Sequence, residues 1–200
     1  MKQPFLGDGK IITGANVLCV VRLVLAVLTA QLLAEHRITA AFWCALAGIL
    51  TDLVDGFVAK RGWLGGVSNL GKIIDPVADK AIILVPTAAL LFTLHRDGHG
   101  EALTFRLLAA ATGIIVFREL AIFVIKRNMA KRYGVESAIE SARASMALQS
   151  GGFLLLILTG LSNEPVATFA IGIMVSASLV AGWDYFATAR RRVRELRLAA

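Results

Sequence analysis

Apolar residues fill long stretches of the chain, and charged residues gather in the short intervals between them. With a window of about 20 residues, the length a helix needs to cross a hydrocarbon core, this pattern predicts six helical spans, near 14–34, 38–58, 73–94, 104–126, 143–161 and 165–188. The runs near 38–51, 81–94 and 165–183 contain no charged side chain at all. Connectors are short, with no low-complexity tract and no internal repeat. The expectation is one all-α, polytopic membrane domain over residues 1–200. The segment 58–72 breaks the helical pattern: Gly62, Gly65, Gly66 and Gly71 surround Trp63 and Leu64, as in a loop whose apolar tip dips into the membrane interface. Pro76, second in D-P-V-A-D, suits the first turn of a helix. It predicts a helix start near Asp75, whose carboxylate would meet the positive end of the helix dipole.

Composition supports the membrane class: 57% of the 200 residues are hydrophobic and the mean hydropathy is +0.72. Basic residues then set the orientation. With both termini cytoplasmic, that side receives Lys2, Lys10, Lys60, Arg61, Lys72, Lys80, Lys126, Arg127, Lys131, Arg132, Arg143 and the Arg190–Arg197 tail, while the other side keeps Arg37, Arg96 and Arg106. The net charge of +7 is thus assigned to a membrane surface, where each basic side chain gains about 1 kcal/mol against anionic head groups. No aromatic residues interleave with the basic tail, which argues against a nucleic-acid partner. Cys19 and Cys44 lie inside apolar segments, so neither a disulfide scaffold nor a cysteine zinc site is expected. His36, His95 and His99 fall in far-side connectors without metal-binding spacing. No cleavable signal peptide is expected at the start of the chain, since no small-residue cleavage site follows a short apolar core.

The candidate chemistry lies in four aspartates. Asp52 and Asp55 are three apart at the end of one apolar run, and Asp75 and Asp79 are four apart at the start of the next. At about 100° per residue each pair shares one helix face. Four carboxylates converging at a membrane boundary repel one another unless a cation lies between them. Hard divalent ions with oxygen ligands are the natural choice, and such ions clamp phosphoryl groups during in-line transfer. Arg22 and Arg118 are charges within spans, so each should face a polar interior and a partner. For Arg118 that partner is Glu119 or another helix, or else an anion in the cavity of the aspartates.

These residues resemble the CDP-alcohol phosphotransferases, whose motif D-x-x-D-G-x-x-A-R, followed by G-x-x-x-D-x-x-x-D, is matched here by Asp52, Asp55, Gly56, Ala59, Gly71, Asp75 and Asp79. Lys60 occupies the usual Arg position with Arg61 beside it, and the spacer before Gly71 is about two residues longer. Thr51, the Asp75–Lys80 run, Asn16 with Arg22, and Arg118-Glu119-Leu120 are similar to the phosphatidylglycerophosphate synthase branch. Ser145 and Met146 stand where that branch has Lys and Thr, between Arg143 and Gln149.

The resemblance implies a phospholipid-synthesis transferase in which an alcohol oxygen attacks the β-phosphorus of CDP-diacylglycerol and CMP leaves. It implies Asp52, Asp55, Asp75 and Asp79 as ligands of Mg²⁺ or Mn²⁺, with Asp79 also the general base. Gly56, Ala59, Lys60, Arg61 and Gly71 would bind the CDP-lipid, and Arg118, Lys126 and Arg143 a phosphorylated acceptor such as glycerol 3-phosphate. Inositol phosphate, or phosphatidylglycerol in a cardiolipin-forming reaction, remains open as acceptor. A cation transporter is the remote alternative. The resemblance also implies a homodimer in a bacterial plasma membrane, with the site on the cytoplasmic face.

Overall fold

The computed structural model describes residues 14–59, 71–133, 142–159 and 163–198. These form six helices, α1 (Gly14–Ala34), α2 (Ile38–Ala59), α3 (Gly71–Arg96), α4 (Leu103–Tyr133), α5 (Ala142–Thr159) and α6 (Glu164–Leu198). No strand occurs among the described residues. Every apolar stretch forms a helix at its expected place. α4 and α6 run on beyond the apolar windows, because the Lys, Arg, Ala and Leu residues that follow are good helix formers even where they are too polar for a membrane interior.

One boundary differs from expectation. α3 begins at Gly71, not near Asp75, so Asp75 opens the second turn and Pro76 lies inside the helix. The φ of proline is already helical. Its missing N–H removes only the bond that this position would give to the Lys72 carbonyl.

Among the described residues three helices are long and apolar enough to cross a membrane, through the windows Val17–Ala34, Leu103–Ile125 and Glu164–Glu195. Shorter apolar segments are Ile38–Thr51 and Ala147–Thr159. Val24, Val27, Phe117, Phe123, Phe169 and Val180 are exposed, an outward apolar surface that suits lipid rather than water. Several threonine hydroxyls within the helices are satisfied locally: Thr29 donates to the Leu25 carbonyl at 2.8 Å, Thr87 to Ile83 at 2.6 Å and Thr112 to Leu108 at 2.7 Å. This is how a polar group is kept inside an apolar helix without a distant partner. Together these features are those of an integral membrane protein.

The helices group into two compact units, Met1–Asp97 and Gly98–Ala200. In the first, α1 packs along both α2 and α3, whereas α2 and α3 meet over a shorter length among the described residues. α1 ends in a reversal in which the Arg37 N–H reaches the Leu32 carbonyl at 2.9 Å and the His36 N–H reaches Leu33 at 3.0 Å. His36, at φ 58°, takes the left-handed position usually given to glycine. The Arg96 guanidinium, at the end of α3, donates to the Ala34 carbonyl at 3.3 Å, and His36 Nε2 lies 3.3 Å from the Asp97 carboxylate. The C-termini of α1 and α3 therefore meet beside the start of α2. α1 and α3 run parallel, with α2 antiparallel to both.

In the second unit α6 is the shared element, packed on α5 and on α4. Asn163 caps it, its side-chain oxygen 3.4 Å from the Val166 N–H. Gly152 of α5 fits against Met174 and the Ala170 carbonyl. Tyr185 and Ala189 bury against Ile122 and Ile125 of α4 and against Val193. Further along α6, Trp183 and Phe186 lead into Arg190, Arg191 and Arg194 along one outward groove.

Candidate active site

The first three helices come together at Gly48. A Cβ there would overlap Ile82 Cδ1 of α3 and would lie 3.5 Å from Leu25 Cβ of α1. Any larger residue here would require the Ile82 side chain to shift. The Cys44 thiol, one turn earlier, lies 3.6 Å from the Leu25 carbonyl, which fixes the same register.

From this contact the backbone places the aspartates. Asp52 is four residues beyond Gly48 on α2, and Asp79 is three residues before Ile82 on α3. At 1.5 Å per residue these positions lie about 6 and about 4.5 Å further toward the same end. Asp55 and Asp75 are each seven residues away, about 10.5 Å in both cases. Gly48, Asp52 and Asp55 follow i, i+4, i+7 on one face of α2, and Asp75, Asp79 and Ile82 follow the same spacing on α3. The helices are antiparallel, so the two pairs sit at matching levels on facing stripes. That end of the unit is opposite the Arg96–Ala34 contact.

The other expected residues are distributed as follows. Gly56 and Ala59 close α2 and Gly71 opens α3. Lys60 and Arg61 lie outside the described residues, as do the side chains of the four aspartates, Lys126 and Arg143. Lys126 is on α4 and Arg143 is the second residue of α5. Among the described residues no group of three or more His, Cys, Asp or Glu could hold a metal ion. All four aspartate positions offer carboxylate oxygens, a donor set that fits a hard divalent cation and suits zinc or copper poorly.

Two arginines lie within the apolar parts of these helices, one buried and one half-buried. Arg118 of α4 pairs with its neighbour Glu119; their side chains are 12% and 17% exposed. Its aliphatic stem crosses Gly182 of α6, where a Cβ would lie 3.1 Å from Cγ and 3.2 Å from Cδ. Arg22 of α1 is 1% exposed. It is three residues before Leu25, hence one turn from the Gly48 contact and level with Asp52 and Asp79. Its level relative to the aspartate positions was not legible from the chain, although a charge inside an apolar span was the available signal.

Comparison with known proteins bears on this arrangement. The family model for CDP-alcohol phosphatidyltransferases matches residues 12–187. The chain belongs to the CDP-alcohol phosphatidyltransferase family. Among this phosphatidyltransferase's relatives, the CDP-diacylglycerol–glycerol-3-phosphate 3-phosphatidyltransferase of Bacillus subtilis is 32% identical over 142 residues, 68% of this chain and 66% of that one. A protein of Mycobacterium tuberculosis named as a probable phosphatidylglycerophosphate synthase is 28% identical over 205 residues, 97% of this chain and 90% of its own. The CMP-forming cardiolipin synthase of Rattus norvegicus is 41% identical over 78 residues, 38% of this chain and 25% of that protein.

Proposed function

We propose that this protein transfers a phosphatidyl group from CDP-diacylglycerol to an alcohol, glycerol 3-phosphate in preference, and releases CMP. The observation that carries the reading is the matched register of Asp52 and Asp55 against Asp75 and Asp79 across the Gly48 contact, in a chain whose family match runs from residue 12 to 187. That match crosses both compact units, which supports treating residues 1–200 as one catalytic domain. In our reading all six helices span the membrane, both termini are cytoplasmic, the aspartates face the inner leaflet of a bacterial plasma membrane, and the protein works as a homodimer.

Asp52, Asp55, Asp75 and Asp79 would hold Mg²⁺ or Mn²⁺. When bound, the ions would neutralise the diphosphate and the charge that develops on departing CMP. Asp79 takes the proton of the acceptor hydroxyl as its oxygen bonds to the β-phosphorus and the bond from phosphorus to the CMP oxygen breaks. Gly56, Ala59 and Gly71, without bulky side chains, let the nucleotide approach the backbone. Lys60 and Arg61 contact the phosphates of the CDP-lipid. Arg118, Lys126 and Arg143 supply positive charge for the acceptor's phosphate.

A second reading has phosphatidylglycerol as acceptor and cardiolipin as product, favoured by the 41% identity to a CMP-forming cardiolipin synthase over 78 residues. One experiment separates the two. Purified protein is incubated with CDP-diacylglycerol, Mg²⁺ and a panel containing glycerol 3-phosphate, inositol phosphate and phosphatidylglycerol, and the lipid product is identified by mass spectrometry. The expected product is phosphatidylglycerophosphate, formed with stoichiometric CMP and lost on chelation. Cardiolipin would select the second reading, and no CMP release with any alcohol would overturn both.

A further inference from the structure

Arg22 has no role in the activity as described above, yet it is the most deeply buried charge among the described residues. No Asp or Glu occurs anywhere in α1, GANVLCVVRLVLAVLTAQLLA. The next acidic residue after it, Glu35, is 13 residues on, about 20 Å along the helix axis. A guanidinium does not give up its proton in a protein, so the charge persists and must be compensated from outside α1. The register shows which residues are available. One turn from the Leu25–Gly48–Ile82 contact, Arg22 shares its level with Asp52 of α2 and Asp79 of α3. Packed helix axes lie about 8–10 Å apart, within reach of an arginine side chain. Lys72 and Lys80 of α3 are the other basic residues at this end of the described helices.

We propose that Arg22 is a positioning residue for the carboxylate end of α2 and α3, a built-in cation that holds the aspartates when no divalent ion is bound. This inference rests on the metal-binding reading of those aspartates. A fixed positive charge at their level lowers the affinity of the empty site for Mg²⁺ or Mn²⁺, because like charges within about 10 Å repel through a medium of low effective dielectric. The diphosphate of the lipid substrate brings negative charge that offsets this repulsion. Arg22 thereby couples metal binding to arrival of the CDP-lipid, so that the ions are held firmly only in the loaded site.

The test is Mn²⁺ binding to the full-length protein in detergent, read from the free-ion electron paramagnetic resonance signal with and without CDP-diacylglycerol. In the substrate-free state Arg22→Gln is expected to bind Mn²⁺ about tenfold more tightly than the parent protein, with less further gain on adding CDP-diacylglycerol. Arg22→Lys keeps the charge and is expected to retain the parent's Mn²⁺ affinity. An arginine that served packing alone would give the opposite sign: its loss would loosen the site and weaken Mn²⁺ binding. Unchanged or weaker binding by Arg22→Gln overturns the proposal. Should that variant fail to fold, an altered substrate-free affinity in Arg22→Lys overturns it instead. If the parent protein binds no Mn²⁺ even with CDP-diacylglycerol, the metal-site reading itself fails, an outcome distinct from failure of the Arg22 inference.

Discussion

α1 and α4 each carry an arginine within an apolar helix, Arg22 buried and Arg118 half-buried, and the two charges are handled by different means. Arg118 travels with its counter-charge, since Glu119 is the next residue and the two side chains pair. Such a pair is close to neutral, and it needs from α6 only the space above Gly182. Arg22 has no acidic residue on its own helix, so its compensation comes from across the bundle. Removing a member of a local pair leaves one charge to be accommodated nearby. Removing a charge balanced between helices alters the relation of those helices to each other, and here that relation sets the level of four aspartates. Two residues of the same type are thus balanced at different ranges: Arg118 by its neighbour in sequence, and Arg22, on the proposal above, across α1, α2 and α3.

The largest effect is expected at the acidic side of the inter-helix balance. Asp79→Asn should cut CMP release by about 10²–10⁴-fold, the usual contribution of a general base, while the protein still inserts and purifies. Near-normal turnover would remove Asp79 from the chemistry and leave Arg22 facing a merely structural carboxylate. An intermediate effect is expected from Arg118→Ala, which should raise KM for a phosphorylated acceptor by about tenfold, the worth of one charge-assisted hydrogen bond, with a smaller change in KM for CDP-diacylglycerol. Equal changes in the two constants would mean that the Arg118–Glu119 pair only supports α4. The smallest effect is expected at Arg96, an exposed arginine that supplies the baseline for Arg22 and Arg118. Arg96→Ala removes contacts to Ala34 and Asp97 at a cost of less than about 1 kcal/mol, seen as a small drop in melting temperature with turnover unchanged.

The six helices were legible because apolar length is a strong signal: each expected span became a helix within a few residues, except where charged but helix-favouring sequence extends α4 and α6. The start of α3 was misplaced because Pro76 reads as a first-turn residue, and nothing local announces that the helix already runs from Gly71. The pairing of Asp52 with Asp55 and of Asp75 with Asp79 on common faces followed from spacing alone. The matching of the two pairs did not, since it depends on where α2 touches α3. That contact is set by the missing side chain of Gly48, one glycine among 18 in the chain. Arg22 illustrates the same limit. Its cost in an apolar helix was evident, but the helices that meet its charge are known only from packing.

α6 continues for 35 residues without a break, about 52 Å of helix against a hydrocarbon thickness of about 30 Å. Gly182, which seats the Arg118 stem, and Arg190, the first of the tail's arginines, are eight residues apart on this one rod, about 12 Å. The helix therefore acts as a ruler. Wherever its basic end comes to rest on lipid phosphates, the seat of Arg118 is held at a set depth beneath them.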